Sequence, residues 1–227
     1  MIASNLGNTV LLGDSITNGY APSLTPQGWK HVIQGVGKRS DWLLSKVKSE
    51  LSQLDGADDV ILLIGTNDIG STPVPISTTI RNIGSILSLV KDRAPNARLF
   101  VMTVPPFKGW SNYASNYDTI EGRRQTLNAG IRTGATMLGY RVIPLDELLA
   151  APGDSQTLAP EADSGDHLHP KGSYLASVIA NQIPPPERPH IVPPSEPTSS
   201  GLWWKLPVAI GAAYSIFRLA SNTRGKR

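Results

Sequence analysis

The chain predicts an α/β fold, a three-layer α/β/α arrangement around a central parallel sheet. Two patterns carry that expectation. Short apolar runs, above all Thr9-Val10-Leu11-Leu12 and Val60-Ile61-Leu62-Leu63-Ile64, are continuous in the way of strands buried on both faces. Between the runs lie segments with apolar residues at helical spacing, and such alternation implies parallel strands covered on both sides. A third pattern concerns where the runs stop. They end at small or polar clusters, and open α/β sheets gather their chemistry at the carboxyl ends of the strands.

The elements follow in order. The first strand ends at Gly13, and Ser15 follows where the chain should turn into a helix. A serine there either caps the helix or presents its hydroxyl to a crevice, and the residue alone leaves both open. Tyr20 to Trp29 reads as a Pro/Gly-containing connection to a strand around His31 to Gln34, closed by Gly35-Val36-Gly37. Ser40-Asp41 opens a helix with Trp42, Leu43, Leu44, Val47, Leu51 and Leu54 at helical spacing. The central strand, Val60 to Ile64, ends at Gly65-Thr66-Asn67-Asp68. Ser77 to Ala94 is an amphipathic helix, and Leu99 to Val104 a strand closed by Pro105-Pro106. After an aromatic loop, Phe107 to Tyr117, come a helix over Thr119 to Leu138 and a last strand over Tyr140 to Pro144. Asp146 to Gly165 reads as a loop with one helical turn, and His169-Pro170-Lys171-Gly172 opens a final helix reaching about Gln182.

Composition narrows the function. With 227 residues, 40% hydrophobic and 17% charged, the chain suffices for one well-cored domain and a remainder. It has no cysteine, which excludes disulfides, thiolate zinc sites and a cysteine nucleophile. Residues 1–183 carry 15 Lys/Arg against 16 Asp/Glu, and residues 184–227 carry 6 against 2. The body is therefore nearly neutral and lacks the concentrated basic face that nucleic acid requires. Met1 to Asn8 has no basic stretch and the apolar run after it is short, so no N-terminal signal peptide is expected.

Four clusters can meet at one crevice: Gly13-Asp14-Ser15, Gly35-Val36-Gly37, Gly65-Thr66-Asn67-Asp68 and Asp166-His167-Leu168-His169. With these in order, residues 8–182 resemble the SGNH hydrolases, the GDSL-type lipases and esterases. Gly13-Asp14-Ser15-Ile16 matches the first block of that family, Gly65-Thr66-Asn67-Asp68 its G-x-N-D block, and Asp166 with His169 its D-x-x-H pair. Gly37 best matches the glycine of the second block. That block lacks the usual Asn-x-x-x-x-Gly form, which leaves Gly35 as the alternative, and the short segment before it suggests an open site.

The resemblance implies a flavodoxin-like SGNH hydrolase fold and a serine hydrolase of carboxylic esters. Ser15 would be the nucleophile, His169 the base and Asp166 the acid. The oxyanion donors would be the N–H groups of Ser15 and Gly37 and the amide of Asn67. Chemistry agrees with these roles. A serine hydroxyl needs a base within reach, and a carboxylate three residues from that base can hold the imidazole in one tautomer. No metal and no organic cofactor are called for. Asp166, His167 and His169 lack a fourth metal ligand, and Gly35-Val36-Gly37-Lys38 is no phosphate loop, because Val32 stands where glycine is required. His167 reads as a bystander or substrate contact, and Asp68 as a helix cap. Trp110, Tyr113 and Tyr117 serve either packing or substrate. The substrate would be a lipid ester or an O-acetylated glycan.

The body is expected over 1–183, with a proline-rich linker at 184–200. Residues 201–227 form a C-terminal hydrophobic helix with a basic end, a candidate membrane anchor. As a helix, 201–220 would span about 30 Å, with Lys205 and Arg218 extending to the interfaces and Trp203-Trp204 at the boundary. An interfacial helix, or one docked on a partner protein, is the alternative. Localisation is thus open, with membrane association through this helix expected. Two rival functions remain: an inert binding module on the same fold, and an anchoring protein whose hydrolase is accessory.

Overall fold

The computed structural model describes residues 8–24, 29–70 and 73–184. The chain divides at Pro186. The linker and helix expected at 185–200 and 201–227 lie outside the described residues. Among the described residues no helix is long and apolar enough to cross a membrane.

Five parallel strands form the sheet: β1 (Thr9–Gly13), β2 (Trp29–Gln34), β3 (Asp59–Leu63), β4 (Arg98–Met102) and β5 (Arg141–Ile143). Their order is β2-β1-β3-β4-β5, the flavodoxin-like order whose switch point lies between β1 and β3. Leu11 pairs with Val32 on one side and Ile61 on the other, and Ile61 with Phe100. The helices are α1 (Ser15–Leu24), α2 (Ser40–Ser49), α3 (Thr66–Ile69), α4 (Ile76–Arg93), α5 (Tyr117–Leu138), α6 (Leu145–Leu148) and α7 (Gly172–Gln182).

The period of two explains why the strands read as unbroken apolar runs. Val10, Leu12, Val60, Leu62, Leu99 and Val101 point into one core with Leu43, Val47, Ile83, Ile86, Val90, Leu127 and Ile131 of α2, α4 and α5. Leu11, Ile61, Leu63, Phe100 and Met102 point into the other, with Ile16, Tyr20 and Leu24 of α1 and Leu175 and Ile179 of α7. Both faces are covered, so the three layers expected from the sequence are present.

Two local expectations are corrected. Helix α1 does not stop near Tyr20 but continues to Leu24 through Pro22. An interior proline costs about 3 kcal/mol or more, whereas each large side chain fully buried returns roughly 1.5–3 kcal/mol. Tyr20 and Leu24 are both fully buried, and Ala21 nearly so. The segment after Asp146 holds more than one helical turn: β6 (Ala150–Ala151) and β7 (Asp154–Leu158) pair antiparallel across a turn at Gly153, where φ is +80°.

Candidate active site

The first strand hands over to α1 at a point where only glycine fits. A Cβ on Gly13 would overlap the Thr17 hydroxyl and the Leu63 carbonyl oxygen, so α1 can start directly against the sheet edge. Ser15 is the first residue of that helix. Its Oγ lies 3.0 Å from His169 Nε2.

His169 is supplied by the turn before α7. Its Nδ1 lies 2.6 Å from Asp166 Oδ2, while Asp166 Oδ1 accepts the backbone N–H groups of Leu168 and His169 at 2.9 and 2.8 Å. Burial pushes the Asp166 carboxyl up, but the bonds from the His169 ring and the two amides outweigh it and hold the group at about 2. The turn is pinned at both ends: Ser164 N–H donates to the His169 carbonyl at 3.1 Å and Lys171 N–H to the Ala162 carbonyl at 2.7 Å. Ser15, His169 and Asp166 therefore form one continuous hydrogen-bonded chain.

His167 belongs to a separate pair. Its φ of +62° turns it away, its Nδ1 lies 2.5 Å from Asp163 Oδ2, and its ring packs over Gly109. It takes no part in the Ser15–His169–Asp166 chain.

The two candidate glycines separate cleanly. Gly35 donates its N–H to the Gly13 carbonyl at 3.2 Å, so that donor is spent within the fold. Gly37 has φ +69° and open space where a Cβ would be. Asn67 lies two residues after Gly65, whose φ of +129° demands glycine. The Asn67 amide donates to the Lys38 carbonyl at 3.0 Å, and its second amide hydrogen has no partner among the described residues.

Asp68 does not cap the helix that follows it but holds the N-terminus of an earlier one. Its carboxylate accepts the Ser40 N–H at 3.0 Å, the Ser40 hydroxyl at 2.5 Å and the Thr79 hydroxyl at 3.1 Å. It thereby fastens the start of α2 to the first turn of α4. Asp14 has a role that the sequence alone did not reveal. It is completely buried, one oxygen accepts the Ile16 N–H at 3.0 Å, and the other finds no partner among the described residues. Burial, aided by the negative Asp68 nearby, pushes its carboxyl up to about 7. The signal was the pair of acidic positions inside the two motifs.

The aromatic loop divides its duties. Tyr113 is buried, packs edge-on against Phe107 and Trp110, and its hydroxyl end fills the space over Gly70. Trp110 also lines a cavity of about 670 Å³ that opens beside Gly37 and Asn67. Among the described residues no group of three or more His, Cys, Asp or Glu side chains is arranged to hold a metal ion.

A parallel sheet with this strand order, carrying a serine, an imidazole and a carboxylate in line at its carboxyl edge, belongs to the α/β hydrolytic architectures. Residues 11–173 match the model of the GDSL-like lipase/acylhydrolase family, and the chain belongs to that family of hydrolases acting on esters. Comparison with curated proteins gives no match. Among solved structures, a GDSL-like lipase from Bacteroides thetaiotaomicron superimposes with a TM-score of 0.63 at 20% identity, over 79% of this chain and 88% of that one. An acetyl xylan esterase, AlAXEase, gives 0.60 at 16% identity, over 78% and 99%. An extracellular lipase from Streptomyces rimosus gives 0.56 at 17% identity, over 77% and 99%. These likenesses establish the shared fold.

Proposed function

We propose that this protein is a serine esterase that cleaves carboxylic esters, of lipids or of O-acetylated glycans, through an acyl-enzyme on Ser15. The observation that carries the proposal is the chain from Ser15 Oγ through His169 to Asp166, with links of 3.0 and 2.6 Å. In this reading His169 Nε2 takes the Ser15 proton as Oγ attacks the ester carbonyl. Asp166, ionised down to about pH 2, fixes the imidazole tautomer and balances the imidazolium. The tetrahedral oxyanion is received by the N–H groups of Ser15 and Gly37 and by the free amide hydrogen of Asn67. His169 then protonates the departing alcohol, and water repeats the sequence to release the acid.

The test uses a short p-nitrophenyl ester and a fluorophosphonate probe. Wild type should hydrolyse the ester and be labelled at Ser15. Ser15→Ala should do neither while keeping its circular dichroism spectrum. Absence of both activities in the wild type would leave an inert binding module as the better description.

A further inference from the structure

The cavity beside Gly37 and Asn67 does not have the walls of an acyl-chain tunnel. Two indoles, Trp42 and Trp110, stand among Lys38, Arg39, Asp41 and Asn112. Burying an alkyl chain there would strip water from charged groups and return little apolar contact. Charge bookkeeping identifies what is missing. Arg39 and Asp41 cancel each other in a 3.0 Å ion pair. Lys38 forms no ion pair with any described residue, and its Nζ stands 5.9 Å from the centre of the Trp42 ring. One lysine at the cavity therefore has no ion-pair partner among the described residues.

This lysine is held, not merely displayed. A Cβ on Gly35 would lie 2.6 Å from Lys38 Cγ and 2.7 Å from Trp42 Cη2. Glycine at the end of β2 is what lets the lysine stem and the indole lie together across the strand end. The Lys38 carbonyl is in turn held by Asn67, so the backbone that carries this cation is tied directly to the Asn67 amide. The volume suits a ring-sized group and its substituents. Indole faces accept the apolar face of a saturated ring, and a lysine ammonium recognises a carboxylate or phosphate as a point charge.

We propose that the cavity binds an anionic, ring-bearing half of the ester, such as an O-acetylated sugar acid, with its ring against Trp42 and Trp110 and its negative group on Lys38. The proposal rests on the esterase reading and specifies the substrate of that same site. Neutral long-chain lipid esters are then poor substrates.

The experiment compares O-acetylated methyl glucuronide with O-acetylated methyl glucoside, which differ only in carboxylate against hydroxymethyl, using the full chain. A 6-phosphorylated glucoside ester separates phosphate from carboxylate recognition, and p-nitrophenyl acetate reports hydrolysis itself. At low salt the charged sugar esters should show kcat/KM at least about tenfold above the neutral one. That ratio should shrink toward one at about 0.5 M salt, and also in Lys38→Met, which keeps the stem on Trp42 but removes the charge. Equal kcat/KM for charged and neutral sugars in the wild type, or an unchanged ratio in Lys38→Met, overturns the proposal. Should p-nitrophenyl acetate and the fluorophosphonate both fail, the esterase reading falls instead. Calorimetry with methyl glucuronide and methyl glucoside on Ser15→Ala then decides the cavity's preference without catalysis, and equal affinity overturns it.

Discussion

Gly172, at the first turn of α7, touches the backbone of Gly19 in α1 so closely that a Cβ on it would overlap the Gly19 carbonyl oxygen and lie 3.0 Å from its carbon. Ser15 heads the first of these helices and His169 stands three residues before the second. Their close crossing joins the two helix starts from which hydroxyl and imidazole come together at 3.0 Å.

Gly172→Ala should part the two helices. The expected cost is about 1–3 kcal/mol of stability, together with up to about 10²-fold in kcat through misplacement of the base, while KM changes little. Denaturant unfolding and ester kinetics measure both. Unchanged kcat in a destabilised variant would show that the crossing does not position the base.

Asn67→Ala removes one of the proposed oxyanion donors and should lower kcat by about 10²–10³-fold with a smaller effect on KM. Steady-state kinetics on a p-nitrophenyl ester decide this. A loss seen mainly in KM would move Asn67 from oxyanion binding to substrate docking.

Asp166→Asn retains the shape of the turn but no longer favours the productive imidazole tautomer. Turnover should fall by about 10⁴-fold, with the fold preserved. The rate of fluorophosphonate labelling should fall with it. Retention of most of the activity would mean that His169 is oriented by something other than this carboxylate.

Asp14 makes stability depend on pH in a distinctive direction. Its folded pKa, about 7, lies above the unfolded value of 3.8. Well below pH 3.8 both states hold the proton and burial carries no ionic penalty. As pH rises toward 7 the unfolded chain ionises first, so folding stability falls, and above 7 the loss levels off. Between pH 5 and 8 this loss should be about 2–3 kcal/mol. Asp14→Asn should abolish it, being less stable than wild type at pH 5 and equal or better at pH 8. Urea unfolding at the two pH values tests this, and parallel profiles for both proteins would remove Asp14 as the cause.

The layers and strand order were readable because alternate residues of β1, β3 and β4 feed two different cores, which forces continuous apolar runs. The meeting of Ser15, His169 and Asp166 could be expected because motifs at strand ends have few places to go in such a sheet. What escaped is physically different. Pro22 signals a helix end, yet the buried Tyr20 and Leu24 override it. The β6–β7 hairpin is too short to show a period. The lower support of the site, Asp14 and Asp68, is tertiary: nothing near Asp68 in sequence announces that its partners are Ser40 and Thr79. The choice between Gly35 and Gly37 needed the Gly13 carbonyl, which only the folded chain brings near.

The Asp166–His169 turn ties proton acceptor and carboxylate into a single cassette, closed by backbone bonds from residues 162 and 164. The hydrogen bonds that close it run among residues 162–171, although the His167 ring packs over Gly109 in the long stretch between Val104 and Leu158. Loops in that stretch away from Gly109 can lengthen, shrink or change chemistry during evolution while these bonds stay intact, so diversification toward new esters has a route that leaves the imidazole–carboxylate pair alone.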